Sequence, residues 1–113
     1  MTYMALIYGA PMPPNFTPPS EAEKAWMDYT QATKDAGIFV AGDQLDDPGT
    51  ATTVTMRDGK RVVTDGPFAE TKEVLGGYYL FRCANLDEAL DWAARCPAVQ
   101  FGGKIEVRPI VER

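Results

Sequence analysis

The segment GGYYLFRC, residues 76–83, decides how this 113-residue chain folds. Tyrosine, leucine and phenylalanine favour strands, and here they occupy successive positions. Because alternate side chains of a strand point to opposite faces, this strand is apolar on both faces. Residues 2–8, TYMALIY, have the same two-sided pattern and predict a second strand of this kind.

Two helices are predicted from the residues at their ends. Ser20 and Glu23 form a capping box, and Gly37 supplies the left-handed residue that ends the first helix. Asn85 is the N-cap of the second helix, which Pro97 ends. Helical spacing predicts the buried sides, which are Ala22, Ala25, Trp26, Tyr29 and Thr33 in the first helix and Leu86, Ala89, Leu90, Ala93 and Ala94 in the second.

The remaining strands complete a recognisable order. Residues 38–43 and 105–110 predict single strands, and residues 52–57 and 60–64 predict a hairpin around an Asp-Gly type I′ turn. The order is therefore β-α-β, a hairpin, and β-α-β. Two β-α-β halves predict a ferredoxin-like α+β fold, in which two helices cover one face of an antiparallel sheet.

This arrangement predicts a homodimer. Two helices can cover only one face of the sheet, yet the strands at residues 2–8 and 76–83 are apolar on both faces. A monomer would expose a larger apolar surface than soluble proteins usually tolerate. A second copy packed sheet to sheet would bury that surface, and a cleft between sheet and loops would be the place for a ligand.

The composition excludes several kinds of chemistry. There is no histidine, which rules out histidine-based acid–base catalysis, Ser-His-Asp and Cys-His sites and histidine-ligated haem. We also expect no metal site and no cofactor, because Cys83 and Cys96 stand alone and are best read as structural thiols. The net charge of −5, with scattered basic residues, predicts binding neither to nucleic acid nor to an anionic membrane.

Two features of the first twenty residues bear on location and access. Residues 1–10 lack a secretory pattern, and no apolar run reaches the length of a membrane span, so we expect a cytoplasmic protein. Residues 10–19, APMPPNFTPP, form a proline-rich loop that cannot be helical. This loop is either a linker over the sheet or a lid over a pocket.

The segment TDGPFAETKEVLGGYY, residues 64–79, is unlike a generic connection. With MALIYG at residues 4–9 and LDEALDWAARCP at 86–97, it resembles the DGPF family within the YciI-like (YCII-related) superfamily of bacterial proteins. The resemblance covers nearly the whole chain and implies a single domain over residues 1–113 that forms a dimeric α+β barrel. It implies no defined activity, although some members are encoded beside extracytoplasmic-function sigma factors. Some relatives use a His–Asp pair, which this chain cannot have.

The same segment carries the candidate catalytic residues. Asp65 or Glu70 can act as a general base, with Lys72 stabilising a developing oxyanion. The alternative is a structural clamp, in which the Asp65 side chain caps a tight turn, Phe68 fills an apolar socket, and Lys72 pairs with Glu70 or Glu73. Candidate ligand-binding residues are Tyr8, Arg57, Phe68 and Tyr78, which would orient a small acidic or phenolic molecule.

Two functions of different classes follow. The first is a small-molecule-binding dimer with proton-transfer activity of the isomerase, lyase or dehalogenase type. The second is a non-catalytic regulatory module that acts with a sigma factor. An enzyme predicts a closed polar pocket around Asp65, Glu70 and Lys72, whereas a module predicts that these groups pair with one another and that an exposed patch lies elsewhere.

Overall fold

The structure is a computed structural model that describes residues 1–10, 20–69 and 71–113. Most of the proline-rich loop, residues 11–19, and the candidate base Glu70 lie outside the described residues. The elements in chain order are β1 (Thr2–Gly9), α1 (Ser20–Asp35), β2 (Phe39–Gln44), a 3-10 turn (Pro48–Thr50), β3 (Thr52–Arg57), β4 (Lys60–Asp65), β5 (Val74–Arg82), α2 (Leu86–Ala94), α3 (Pro97–Gln100) and β6 (Lys104–Pro109).

The main sheet confirms the ferredoxin-like α+β fold. Its four strands lie in the order β2-β5-β1-β6, and each neighbouring pair is antiparallel. The two-sided strands β5 and β1 are the central pair, with Ala5 opposite both Tyr79 and Val107. Strands β3 and β4 form a separate two-stranded sheet, which is the hairpin predicted between the two halves. Asp58 and Gly59 have the positive φ values of 51° and 76° that its turn requires.

Tyr79 holds the core together. Its ring stacks on Phe81 with centroids 5.3 Å apart and meets the edge of Tyr29 at 5.6 Å. Its hydroxyl shares a 2.6 Å hydrogen bond with Thr30 Oγ1, while the hydroxyl of Tyr29 donates to the Trp92 carbonyl at 2.6 Å. Burial raises the pKa of both phenols, so both hydroxyls stay protonated. These contacts join α1 and α2 to the same face of the sheet, and they confirm Tyr29 as a core residue.

The ends of the helices follow from local chemistry. Gly37, with φ 77°, donates to the Lys34 carbonyl, and Ile38 donates to that of Thr33, which is a Schellman ending. At the start of α2, Asn85 Oδ1 accepts from the Glu88 backbone N–H at 2.9 Å. No helix among the described residues is long and apolar enough to cross a membrane.

The predicted buried side of α2 was partly wrong. Ala89 and Ala93 are buried as expected, but Leu86 and Leu90 are 46% and 45% exposed. The helix is turned so that Ala89 and Ala93 are buried, while both leucines and Ala94 lie on its exposed side. The large side chain of Trp92 packs against the core instead. The Arg95 guanidinium lies over the Trp92 ring, 4.1 Å from the ring centroid.

The paired glycines of the GGYY segment have different roles. Gly76 is the extra residue of a bulge, since Ile7 pairs with Gly77 and Tyr8 pairs with Leu75. Gly77 lies where β2 and β5 approach closely: a Cβ there would be 2.9 Å from the Asp43 carbonyl oxygen. A Cβ at Gly76 would be no nearer than 4.0 Å to another atom.

We therefore expect Gly77→Ala to lower the free energy of unfolding by about 1–3 kcal/mol, because the β2 backbone must move. Gly76→Ala is the matched control and should change it by about 0.5 kcal/mol or less. Urea denaturation of the three proteins measures both values. Equal stability of the two variants would contradict the close approach at Gly77.

Candidate functional site

The sheet face opposite the helices carries an apolar strip between charged edges. The strip consists of half-buried side chains from the two central strands, and we call this surface the open face: Met4, Leu6, Tyr8, Tyr78 and Leu80. Strand β2 adds Asp43 at one edge, and β6 adds Lys104, Glu106 and Arg108 at the other. A surface of this kind can accept an apolar ring and also bind its polar substituents.

A depression lies at one end of the open face. It is lined by Tyr8, Glu73, Lys104, Ile105 and Glu106, and we call it the Tyr8 depression. Lys104 Nζ lies 2.7 Å from Glu73 Oε1, while Tyr8 pairs with Lys104 across β1 and β6. A carboxylate, an ammonium and a phenol therefore meet beside an apolar strip, which brings together an acceptor and two donors.

The local chain geometry positions the charged pair. Gly102, with φ 85°, turns the chain out of α3, and the Gly103 N–H donates to the Ala98 carbonyl at 2.8 Å. A Cβ at Gly103 would lie 2.7 Å from the Tyr8 carbonyl oxygen, so only glycine fits before Lys104. On the other side, the Thr71 hydroxyl donates to the Glu73 carbonyl just before β5 begins.

Tyr78 lies on the same face as Tyr8. Tyr78 pairs with Leu6, two residues before Tyr8 on β1, so the two tyrosines are diagonal neighbours at this end of the sheet. The Tyr78 hydroxyl donates to Asp43 Oδ2 at 3.3 Å. Two of the predicted ligand-binding residues are thus brought together.

The other candidate residues lie on or beside the hairpin. Arg57 is at its tip and Asp65 is at its base, opposite Thr52. At about 3.3 Å per residue, the strands separate these two side chains by more than 15 Å. Lys72 is exposed in the segment that leads back to the sheet. A single chain therefore does not place Arg57 beside Asp65.

The turn at the base of the hairpin is held by backbone groups and a threonine. Gly66, with φ 92°, donates to the Ala51 carbonyl at 2.7 Å, and its own carbonyl accepts from Thr53 Oγ1 at 2.7 Å. The apolar socket expected for Phe68 is absent from the described residues, since its side chain is 90% exposed. Glu73 pairs with Lys104 and not with Lys72, because β6 lies beside β1 at this end of the sheet.

Sequence reasoning missed Lys104 and gave Glu73 only a structural role. A signal for Lys104 was present, because Ile105 and Val107 alternate with Lys104, Glu106 and Arg108 and so predict one apolar and one charged face of the last strand. Which strand this charged face would lie beside depends on the sheet order.

Neither cysteine takes part in the site. Cys83 and Cys96 are buried and unpaired, and burial raises the pKa of the Cys96 thiol to about 11. A neutral buried thiol is a structural group and not a nucleophile. Within residues 1–10, 20–69 and 71–113, no three acidic or cysteine side chains come together as metal ligands.

Comparisons with known proteins agree with this fold. The family model described as YCII-related domain matches residues 1–113. An uncharacterised protein of Rhizobium meliloti (strain 1021) is 52% identical over 61 residues, which are 53% of this chain and 49% of that protein. The chain thus spans about half the length of this curated relative.

A solved structure is similar over the whole chain. It is 5-chloro-2-hydroxyhydroquinone dehydrochlorinase from Burkholderia phenoliruptrix AC1100 in complex with 2,5-dihydroxybenzoquinone. The match covers 100% of this chain and 96% of the other, with a TM-score of 0.55 and 15% sequence identity. At that identity, the similarity shows a shared fold.

Substitutions at Asp65 separate the clamp from the catalytic base. Among the described residues the Asp65 carboxylate accepts no hydrogen bond, because backbone groups and Thr53 Oγ1 hold the turn. We therefore expect Asp65→Asn and Asp65→Ala to change stability by about 0.5 kcal/mol or less. A loss of about 1 kcal/mol or more in both variants, with an unchanged response in a thermal-shift screen of small metabolites, would support the clamp. Thr53→Val is the matched control, since it removes a hydroxyl that holds the same turn. Normal or raised stability of Asp65→Asn together with loss of the ligand response would identify a catalytic base.

Proposed function

Because this chain belongs to the YCII-related domain family, we propose that it is a homodimer that binds a small hydroxylated or acidic organic molecule and transfers a proton on it. The observation that carries this proposal is the Tyr8 depression, where the Glu73–Lys104 pair meets Tyr8 at the end of an apolar strip. The class of reaction is an isomerisation or an elimination, including loss of a hydrogen halide.

The pair supplies both halves of a proton transfer. The Glu73 carboxylate accepts a proton from carbon next to a carbonyl group, the C–H electron pair forms a carbon–carbon double bond, and the carbonyl π electrons move onto the oxygen. The Lys104 ammonium stabilises that oxyanion, and a hydrogen bond from the Tyr8 hydroxyl adds to this. Return of the proton elsewhere completes an isomerisation, whereas departure of a halide with its bonding electrons completes an elimination.

The apolar strip favours a flat ring as the ligand. Leu6, Tyr78 and Leu80 offer a half-buried surface beside the charged pair. The dehydrochlorinase that shares this fold was solved with a hydroxylated quinone. A ring with acidic hydroxyl and carbonyl groups suits both the strip and the ammonium of Lys104.

We extend the proposal to the segment that precedes β5. Asp65 and Lys72 are exposed at the base of the hairpin, in the stretch that leads to Glu73. In this proposal Lys72 assists in binding an anionic substituent, and Asp65 or Glu70 is a second proton acceptor. The buried free thiols Cys83 and Cys96 suit a reducing compartment, so a cytoplasmic location is part of the proposal.

Binding of the hydroxylated quinone tests the site directly. The probe is 2,5-dihydroxybenzoquinone, titrated by calorimetry. Lys104→Met should weaken binding about 10- to 100-fold, because a charge-assisted hydrogen bond is lost. Lys24→Met is the matched control, since Lys24 forms an exposed pair with Asp28 on α1 and lies outside the depression.

The proton-transfer step has its own readout. A ring carbon of this quinone exchanges its hydrogen by taking up a deuteron from solvent and then losing the original proton, from carbon next to a carbonyl group, to a base. This exchange, followed by NMR, should be faster with the wild-type protein than with buffer alone. Glu73→Gln should keep binding within about threefold and lose the acceleration, because the amide is a much weaker base. Absence of binding by the wild type, or equal losses in Lys104→Met and Lys24→Met, would overturn the proposed site.

The homodimer has a separate test. We expect the wild type to sediment as a dimer at micromolar concentration, because a second copy covers the open face. Leu6→Asp puts a charge into the apolar strip and should give monomers or aggregates. Met27→Asp is the control, since Met27 is 73% exposed on α1, away from the sheet. A stable wild-type monomer would contradict the dimer.

A second candidate function is a non-catalytic module that acts with an extracytoplasmic-function sigma factor. It is favoured by the exposed apolar side chains of the hairpin, where Val54, Met56 and Val63 are all more than half exposed. A module of this kind requires neither ligand binding nor proton exchange. Quinone binding that is weakened in Lys104→Met, together with proton exchange that is lost in Glu73→Gln, would therefore argue for the proton-transfer function and against the module.

A further inference from the structure

The hairpin of β3 and β4, residues 52–65, is an unsupported arm. It forms its own two-stranded sheet, apart from the four-stranded one. Val54 lies directly opposite Val63, and Met56 follows on the same face. These three side chains are 59%, 54% and 66% exposed, respectively. The arm therefore presents a cluster of three apolar side chains to solvent, and Arg61, Thr52 and Asp65 lie on the same face around them. We call this side the apolar face of the arm.

The pattern of the arm is that of a sheet covered on one side. Its other face carries one apolar side chain, Val62, and five polar ones, which are Thr53, Thr55, Arg57, Lys60 and Thr64. Alternation of this kind is typical of antiparallel strands with one face packed and one face in water. An isolated two-stranded hairpin is only marginally stable, and an exposed apolar one invites association. The apolar face of the arm therefore needs a covering surface.

The chain exposes more surface than a compact monomer of its mass, and the excess is similar in size to a subunit interface. The chain exposes 8387 Å² of surface, whereas a compact monomer of its mass exposes about 6,100 Å². The excess of about 2,200 Å² is similar to the area that each subunit buries in an obligate homodimer. The dimensions agree: the chain measures 48 × 41 × 19 Å, and its radius of gyration is 16.1 Å, against about 13 Å for a compact domain of this length.

Charge also favours a second copy as the occupant. Arg57, Lys60 and Arg61 make the tip of the arm basic, although the net charge of the chain is −5. Asp46 and Asp47, which follow β2, are exposed and acidic. One copy thus carries a basic projection and an acidic body, which is the complementarity that two copies need to associate.

The arm is continuous with the surface already assigned to the dimer. The chain enters the arm after Gln44, at the end of β2, and returns from it to Val74, at the start of β5. Gln44 and Val74 lie at the end of the sheet that holds the Tyr8 depression, since Gln44 pairs with Gly77 and Val74 pairs with Gly9. Phe68, at the base of the arm, is 90% exposed and adds to the same uncovered surface.

We infer that the apolar face of the arm packs against a second copy of this chain, so that each protomer clasps the other. This inference rests on the homodimer of the proposed function and adds a second contact to the sheet-to-sheet one. Val54, Met56 and Val63 form the centre of that contact, and Phe68 extends it towards the sheet. The clasp accounts for the one-sided pattern of the hairpin.

Sedimentation velocity over a range of concentrations tests the clasp. Val54→Asp should raise the dissociation constant of the dimer about tenfold or more, since a charge would be buried at the contact. Thr55→Asp is the matched control, because it places the same charge on the neighbouring residue and the opposite face, and it should change that constant less than about threefold. Val54→Thr keeps the β-branched shape and should give an intermediate effect, which guards against misfolding of the aspartate variant.

The outcomes distinguish the clasp from the dimer itself. Dimers of unchanged affinity in Val54→Asp, with Leu6→Asp monomeric, would overturn the clasp and leave the sheet-to-sheet dimer intact. A wild-type monomer would overturn both. Equal weakening by Val54→Asp and Thr55→Asp would show a general effect of charge and also overturn the clasp. If the arm binds a different protein instead, Val54→Asp should leave the affinity of the dimer unchanged, which is the first of these outcomes.

Discussion

The pairing of β1 with β5 is the constraint on which the structure depends. Both strands are apolar on both faces and lie at the centre of the sheet, so two separate apolar layers must be covered. Helices α1 and α2 cover one layer. The other layer is the open face, and the proposed second copy and the proposed ligand both use it. The proposed dimer and the proposed ligand site therefore depend on the same strand pair.

Two adjacent tyrosines in β5 lie on opposite faces of the sheet and belong to the two different layers. Tyr79 points to the helices, where it stacks on Phe81 and shares a hydrogen bond with Thr30. Tyr78 points to the open face, where its hydroxyl meets Asp43. Because the strand period is two residues, a shift of one position would exchange a core residue for a site residue. The bulge at Gly76 and the close approach at Gly77 keep that register in place.

The Glu73–Lys104 pair contributes little to the stability of the fold. The two side chains are 38% and 72% exposed, and an exposed ion pair contributes only about 0–1 kcal/mol to folding. The surrounding backbone is nevertheless closely fitted, since Gly103 leaves no space for a Cβ beside the Tyr8 carbonyl. A weak pair held in a close-fitting frame is available to exchange its partner for a ligand, which is the behaviour that the proposed proton transfer requires.

The sequence by itself determined the six strands, the two longer helices, their order and the ferredoxin-like fold, because strand alternation, the Asn85 cap, the Gly37 ending and the Asp58–Gly59 turn act over only a few residues. It did not predict α3, which begins at Pro97, where the second helix was expected to end. It also directed attention to Tyr8 and Tyr78, while the roles of Asp65, Glu70 and Lys72 stay predictions. Only the tertiary structure decided that Leu86 and Leu90 of α2 are exposed, that Phe68 is exposed, and that Glu73 meets Lys104 from a strand at the other end of the chain. These features depend on helix rotation and on which strands become neighbours, and both are set by long-range packing that no local pattern encodes.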